Sequence, residues 1–170
     1  MAETTVPAMQ AYRTVLSSFA TGVVVVTGMS GTPAHPTGMS ISSFTSVSLD
    51  PPLVSFCVAV TSTTWPLLRT ANRWCVNVLG ADQQAVCDRF AVRGVDRFAG
   101  CNWRSAPGGA PIIGGAIAWF EVRQQAEHVA GDHVIVVGRV EHCARREDRT
   151  PLILFGGAAG TFRSVMALRD

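Results

Sequence analysis

The residues best suited to chemistry in this chain cluster between positions 37 and 64. Met39, Ile41, Val47 and Leu49 hold the odd positions of one stretch, while Ser40, Ser42, Phe44, Ser46 and Ser48 hold the even ones. Alternation with period two predicts a strand with one dry and one wet face, ending at Pro51-Pro52. The wet face is made almost wholly of small hydrogen-bond donors, which let a flat, acceptor-rich ligand approach the backbone closely. Ser62, Thr63 and Thr64 add hydroxyls just before Trp65-Pro66, where Ser62 or Thr63 is placed to cap a short helix. His133 follows Gly131-Asp132 and precedes an apolar run, the position of a turn entering a strand. Two plainer readings compete: serines on a strand as its solvated side, and a lone histidine whose neighbour Asp132 caps the turn.

Those groups need elements to hold them. Met9, Tyr12, Leu16 and Phe19 recur at helical spacing from near Pro7, and Gly22 is the expected stop. Val23 to Val26 is a four-valine run that predicts a buried strand, and Gly31, Pro33 and Pro36 supply turn chemistry into the next one. Residues 53–60, 75–79, 117–128, 133–143 and 152–155 predict further strands, the last as a final barrel strand. Residues 82–92 predict a capped helix, and residues 94–115 a long irregular loop. Many strands, short connections and few helices predict an antiparallel barrel in one domain over residues 1–170.

Hydrophobic residues are 48% of the chain and charged residues 15%, which excludes disorder and leaves little polar surface; a large core or a buried subunit interface absorbs such an excess. A net charge of +2 without any basic run gives nucleic acid no electrostatic footprint. No signal-peptide pattern opens the chain and no apolar run is long enough for a bilayer, so a cytoplasmic protein with no membrane partner is expected. Cys57, Cys75, Cys87, Cys101 and Cys143 are odd in number and include no closely spaced pair; they read as reduced thiols, and no metal site is expected. His35, His128 and His142 read as surface residues, and the four tryptophans as core or interface anchors. Gly38-Met39-Ser40-Ile41-Ser42 imitates a hydrolase nucleophile elbow but lacks its closing glycine.

The segment from Gly38 to Val60 resembles the flavin reductases of two-component monooxygenases. So do Ser62-Thr63-Thr64-Trp65-Pro66, Cys75-Val76-Asn77-Val78-Leu79, Asp96-Arg97-Phe98-Ala99-Gly100, Gly131-Asp132-His133 and Pro151-Leu152 through Gly156, in the family's order. The resemblance runs from about Phe19 to Gly160 and implies an antiparallel FMN-binding split β-barrel, mainly β, with a few flanking short helices.

It also implies a function: an NAD(P)H:flavin oxidoreductase that reduces FMN or FAD with NADH or NADPH and supplies a separate monooxygenase, as a homodimer with flavin at or near the interface. Carried over residue by residue, the flavin positions are Thr37, Gly38, Met39, Ser40, Ser42, Ser43 and Phe44, then Cys57, Val58 and Ala59. Ser62, Thr63 and Thr64 follow, then Arg89, Phe90 and Ala91. His133 maps near the nicotinamide, and Phe155, Gly156 and Gly157 to a loop closing over it; relatives carry basic or aromatic residues where Gly157, Ala158 and Ala159 stand here. No Gly-x-Gly-x-x-Gly follows a strand, so nucleotide binding of the Rossmann kind is not expected. Hydride transfer between two cofactors needs orientation more than a protein acid or base, so no essential catalytic residue is expected. A non-catalytic flavin-binding or electron-transfer protein on the same barrel is the alternative. A pyridoxine-phosphate oxidase of related fold would need a cationic phosphate site that the sequence does not display.

Overall fold

The computed structural model describes residues 9–147 and 149–164. Helix α1 (Met9–Ser17) leads into β1 (Thr21–Gly22), β2 (Val24–Ser30), β3 (His35–Ile41), β4 (Thr45–Leu49) and β5 (Pro52–Ala59). Helix α2 (Trp65–Leu68) precedes β6 (Trp74–Val78), and a 3-10 turn (Ala81–Gln83) runs into α3 (Gln84–Ala91). A small hairpin of β7 (Trp103–Ser105) and β8 (Pro111–Ile113) comes next, then the long strands β9 (Ala118–Ala130) and β10 (His133–Arg145). The last described elements are β11 (Leu152–Phe155) and β12 (Ala158–Thr161).

Seven strands form one antiparallel sheet in the order β3-β2-β6-β9-β10-β5-β4. The valine run reads as continuous apolar sequence because both its faces are covered. Val24 and Val26 pack into a core with Phe56, Trp65, Trp74 and Val136, whereas Val23 and Val25 pack with Leu79, Phe90, Phe98 and Ile113. Phe56, Trp65 and Trp74 meet with centroids 5.0–6.0 Å apart, and the buried Trp74 indole N–H donates to Leu68 O at 2.7 Å. Along β5 only Val54, Phe56 and Val58 are fully buried, the period of a strand with one face on the core.

Several expectations are corrected. The alternating stretch is two strands, β3 and β4, at opposite edges of the sheet. Residues 42–44 turn the chain between them, held by Ser43, whose hydroxyl accepts from Cys57 N–H at 2.8 Å and lies 3.1 Å from Cys57 O. The dry face therefore stops at Ile41. A bulge between Ser46 and Ser48 resets the alternation, and Val47 and Leu49 are exposed. The helix ends at Ser17, and Gly22 pairs with Ile153 instead of stopping it; the start near Pro7 lies outside the described residues. β11 sits in a separate three-stranded sheet with β1 and β12, so it is not the final barrel strand.

The irregular loop contains the β7–β8 hairpin, whose three-residue strands carry no periodic signal. Their anchor is Asn77 on β6, fully buried, which accepts from Ile113 N–H at 2.8 Å and donates toward Val25 O at 3.1 Å. Among the described residues no helix is long and apolar enough to cross a membrane, and no metal-competent group of three His, Cys, Asp or Glu occurs.

All five cysteines are free. Burial, with the Glu121 charge adding to it, pushes the Cys75 thiol far up; burial also raises Cys87 and Cys101. Since the thiolate is the reactive form, alkylation of the native protein near neutral pH should label exposed Cys143 first and Cys75 only after unfolding. Labelling of both at one rate, followed by peptide mass mapping, would contradict that burial.

Candidate functional site

β3 bonds to β2 on one side only, which leaves its other side a free edge. In a strand, the N–H and C=O of alternate residues point the same way. The Gly38 carbonyl accepts from Arg97 Nη1 at 2.6 Å on the free side, so the Ser40 amide, two residues on, is directed there too. That edge borders a cleft of about 390 Å³. The end of β5 lines it with Cys57, Val58 and Ala59, and the following loop with Ser62, Thr63 and Thr64. The end of α3 contributes Phe90 and Ala91, and His133 enters from the start of β10.

Each wall is fixed by identifiable bonds. Ser40 Oγ donates to Cys87 O at 2.7 Å and ties β3 to α3. Ser62 Oγ accepts from Trp65 N–H at 3.1 Å, while the N-cap position of α2 is Thr64, not Ser62 or Thr63, and makes no side-chain cap bond. Val60 N–H donates to Asp132 O at 3.0 Å, joining the end of β5 to the two-residue turn before His133. Gly131 takes φ +61°, a left-handed conformation that favours glycine. Asp132 Oδ1 meets His133 Nδ1 at 2.7 Å, and this hydrogen bond holds the Asp132 carboxyl below its ordinary range. Ser42 and Thr63 keep hydroxyls with no partner among the described residues, so the cleft carries unspent donors.

The expected residues do not all converge. Met39, Ser40, Ser42, Ser43, Cys57, Val58, Ala59, Ser62, Thr63, Thr64, Phe90, Ala91 and His133 line the one cleft. Thr37 and Gly38 border an adjoining hollow, shared with Thr63, Thr64 and Arg97. A Cβ on Gly38 would lie 2.8 Å from the Phe90 ring, so glycine here lets α3 press onto β3. Phe44 packs on Phe120 and lines a second, more apolar hollow of about 770 Å³ with Phe155, Gly156, Gly157, Leu16 and Phe19. Ser42 and Ser43 are common to that hollow and the cleft.

Arg89 is not in the cleft. One residue before Phe90 on the helix, it points elsewhere and donates to Ala99 O at 2.6 Å. The cations that do line the cleft are Arg93 and Arg97, from the loop after α3. Arg97 also donates to Thr64 Oγ1 at 2.7 Å and, through Nε, to Val92 O at 2.8 Å. Burial, then the Arg93 charge, lowers the Arg97 guanidinium from its ordinary value. Neither arginine has a carboxylate partner among the described residues, so an anion between them would relieve their repulsion. The only sequence signal for Arg97 is the Asp96-Arg97-Phe98 motif, which carries no spacing rule that points it at the cleft.

A curled antiparallel sheet whose unzipped seam is a donor-lined cleft defines the FMN-binding split barrels. Within that class the chain belongs to the flavin reductase family: the Flavin reductase like domain model matches residues 16–163. It is 38% identical over 146 residues to the reductase subunit HsaB of a flavin-dependent monooxygenase from Rhodococcus jostii, covering 86% of this chain and 74% of that protein. It is 44% identical over 153 residues to the FMN reductase (NADH) SmoA of Agrobacterium fabrum, covering 90% and 86%. Among solved structures, the NADH:FAD oxidoreductase SgcE6 of Streptomyces globisporus, in complex with NAD and FAD fragments, superposes with a TM-score of 0.87. That match has 36% identity over 98% of this chain and all of the other.

Proposed function

We propose that the protein is an NAD(P)H:flavin oxidoreductase that reduces FMN or FAD and passes the reduced flavin to a separate monooxygenase. The observation that carries this reading is the convergence of free donors, a cation pair and His133 on one cleft at the seam of the barrel. A flavin has an acceptor-rich rim, an apolar benzenoid end and a phosphate, and the residues present fit all three. The Ser40 amide and the Ser42 and Thr63 hydroxyls suit the rim, Ala59 and Ala91 the apolar end, and Arg93 and Arg97 the phosphate.

A bound flavin supplies the hydride-accepting chemistry, and the chain's own work is binding, orientation and exclusion of water. Donors fixed on β3 favour negative charge along the facing edge of the ligand without rearranging. Asp132 engages His133 Nδ1, so Nε2 is the nitrogen left for a nicotinamide. A neutral ring then accepts at Nε2 from the carboxamide, and a protonated ring donates to the pyrophosphate. His133→Ala should therefore raise the KM for the nicotinamide about tenfold while lowering kcat less, the pattern of a lost ground-state contact. An unchanged KM in steady-state kinetics would remove His133 from this role.

The homodimer reading is supported by α1, an amphipathic helix that buries none of its residues against its own chain. Met9, Tyr12, Val15, Leu16 and Phe19 are all exposed, and Leu16 and Phe19 line the hollow that adjoins the cleft. An apolar patch of that kind on a lone subunit marks an interface.

The deciding assay follows NADH and NADPH oxidation with FMN, FAD or riboflavin added in turn. Flavin-dependent turnover is expected, and the rates rank both cofactors. Flavin binding without turnover of any pair would instead make the protein a non-catalytic flavin binder.

A further inference from the structure

A second cavity, of about 600 Å³, lies at the far end of β10 from His133. Arg145 closes the 13-residue strand that His133 opens, and no residue lines both the cavity and the flavin cleft, although Phe90 of the cleft and Ile113 of the cavity meet in one core cluster. Arg104, Arg145, Arg146 and Arg149 stand on its walls beside Trp103 and Trp119. Every one of the chain's 14 cationic side chains is arginine, so four of them gathered in one concavity is a marked concentration of charge.

The local acids do not cancel it. Arg149 pairs with Asp82 at 2.6 Å and Arg145 with Glu147 at 3.3 Å, both at exposed positions. Glu121, fully buried nearby, is already engaged by the N–H groups of Gly108 at 2.7 Å and Ala110 at 3.1 Å. Arg104 and Arg146 have no carboxylate partner among the described residues. The Arg104 guanidinium carbon lies 5.8 Å above the Trp119 ring, which makes a flat cationic platform.

Guanidinium forks gathered in a concavity hold phosphate oxygens two at a time. Indole and guanidinium faces stack on heteroaromatic rings. The volume is that of a small-molecule site, too enclosed for a flat protein surface. We propose that this cavity is a second ligand site, independent of the flavin cleft, for a nucleoside diphosphate or a ligand of the same planar, phosphorylated chemistry.

The test is calorimetric titration of ADP into the wild-type protein, the double variant R104Q/R146Q and the cleft variant R93Q. One site on the wild-type protein is expected to weaken about tenfold or more in R104Q/R146Q, the loss of charge-assisted contacts to phosphate, and to persist in R93Q. FMN-dependent NADH oxidation should survive in R104Q/R146Q and shows that it is folded. If that activity is lost too, the single variant R146Q decides, since the Arg146 side chain is exposed and makes no hydrogen bond among the described residues. No ADP binding to the wild-type protein, unchanged affinity in the folded variant, or loss in R93Q alone would each overturn the proposal.

Discussion

Arg97→Ala is expected to weaken FMN binding by about tenfold to a hundredfold and to lower the melting temperature with it. Arg97 joins three segments that bound the cleft: β3 through Gly38 O, the loop before α2 through Thr64 Oγ1, and the end of α3 through Val92 O. Truncation frees all three and leaves a buried Gly38 carbonyl without its donor. Hydrogen bonds to a charged group are worth about 1.5–3 kcal/mol each, and partial exposure puts these at the lower end; losing between one and two in effect gives the stated range. Arg97→Lys keeps the charge but not the fork, so it should recover only part of the affinity. Quenching of flavin fluorescence measures both variants. An alanine variant with wild-type FMN affinity and wild-type melting would show that the cleft does not depend on this bracket.

Asn77→Leu is expected to cost about 3–5 kcal/mol of folding stability, although the two side chains are close in volume. The Asn77 amide nitrogen lies 3.1 Å from Val25 O and from Thr27 Oγ1 and 3.2 Å from Cys75 O, and its oxygen takes Ile113 N–H. The Thr27 hydroxyl also contacts Pro111 O, so one polar cluster welds the β7–β8 hairpin to β2 and β6. Leucine would satisfy none of these groups, and each orphaned buried donor or acceptor costs about 1–3 kcal/mol. Urea unfolding should show a lower midpoint at an unchanged slope. A shift worth under about 1 kcal/mol would mean that the hairpin stands without Asn77.

What was legible in the sequence divides along the range of the forces involved. β2, β5, β6, β9 and β10 could be read because apolar runs and alternation are local records of burial. The break between β3 and β4 could not, because Ser42, Ser43 and Phe44 include no glycine or proline, and the bend rests on a bond to Cys57 that only the folded chain supplies. The β7–β8 hairpin was hidden for the same reason, its anchor being Asn77 far from it in sequence. Within the site, the hydroxyl-bearing segments and His133 are brought together as the family resemblance led one to expect. Arg89 failed by a single helical step. Arg93 and Arg97 sit in a loop, where no periodicity says which way a side chain faces.

The link between β3 and β4 has a mechanical consequence. These strands are the two outermost of seven, yet only residues 42–44 join them. From Ile41 to Thr45 such a tether reaches about 14 Å when fully extended. Chain length therefore sets an upper bound on the aperture of the barrel, within which the Ser43 bonds to Cys57 fix the bend. Substitutions along its rim can change which ligand atoms are gripped without moving that bound. Insertion or deletion within the tether would move that bound directly.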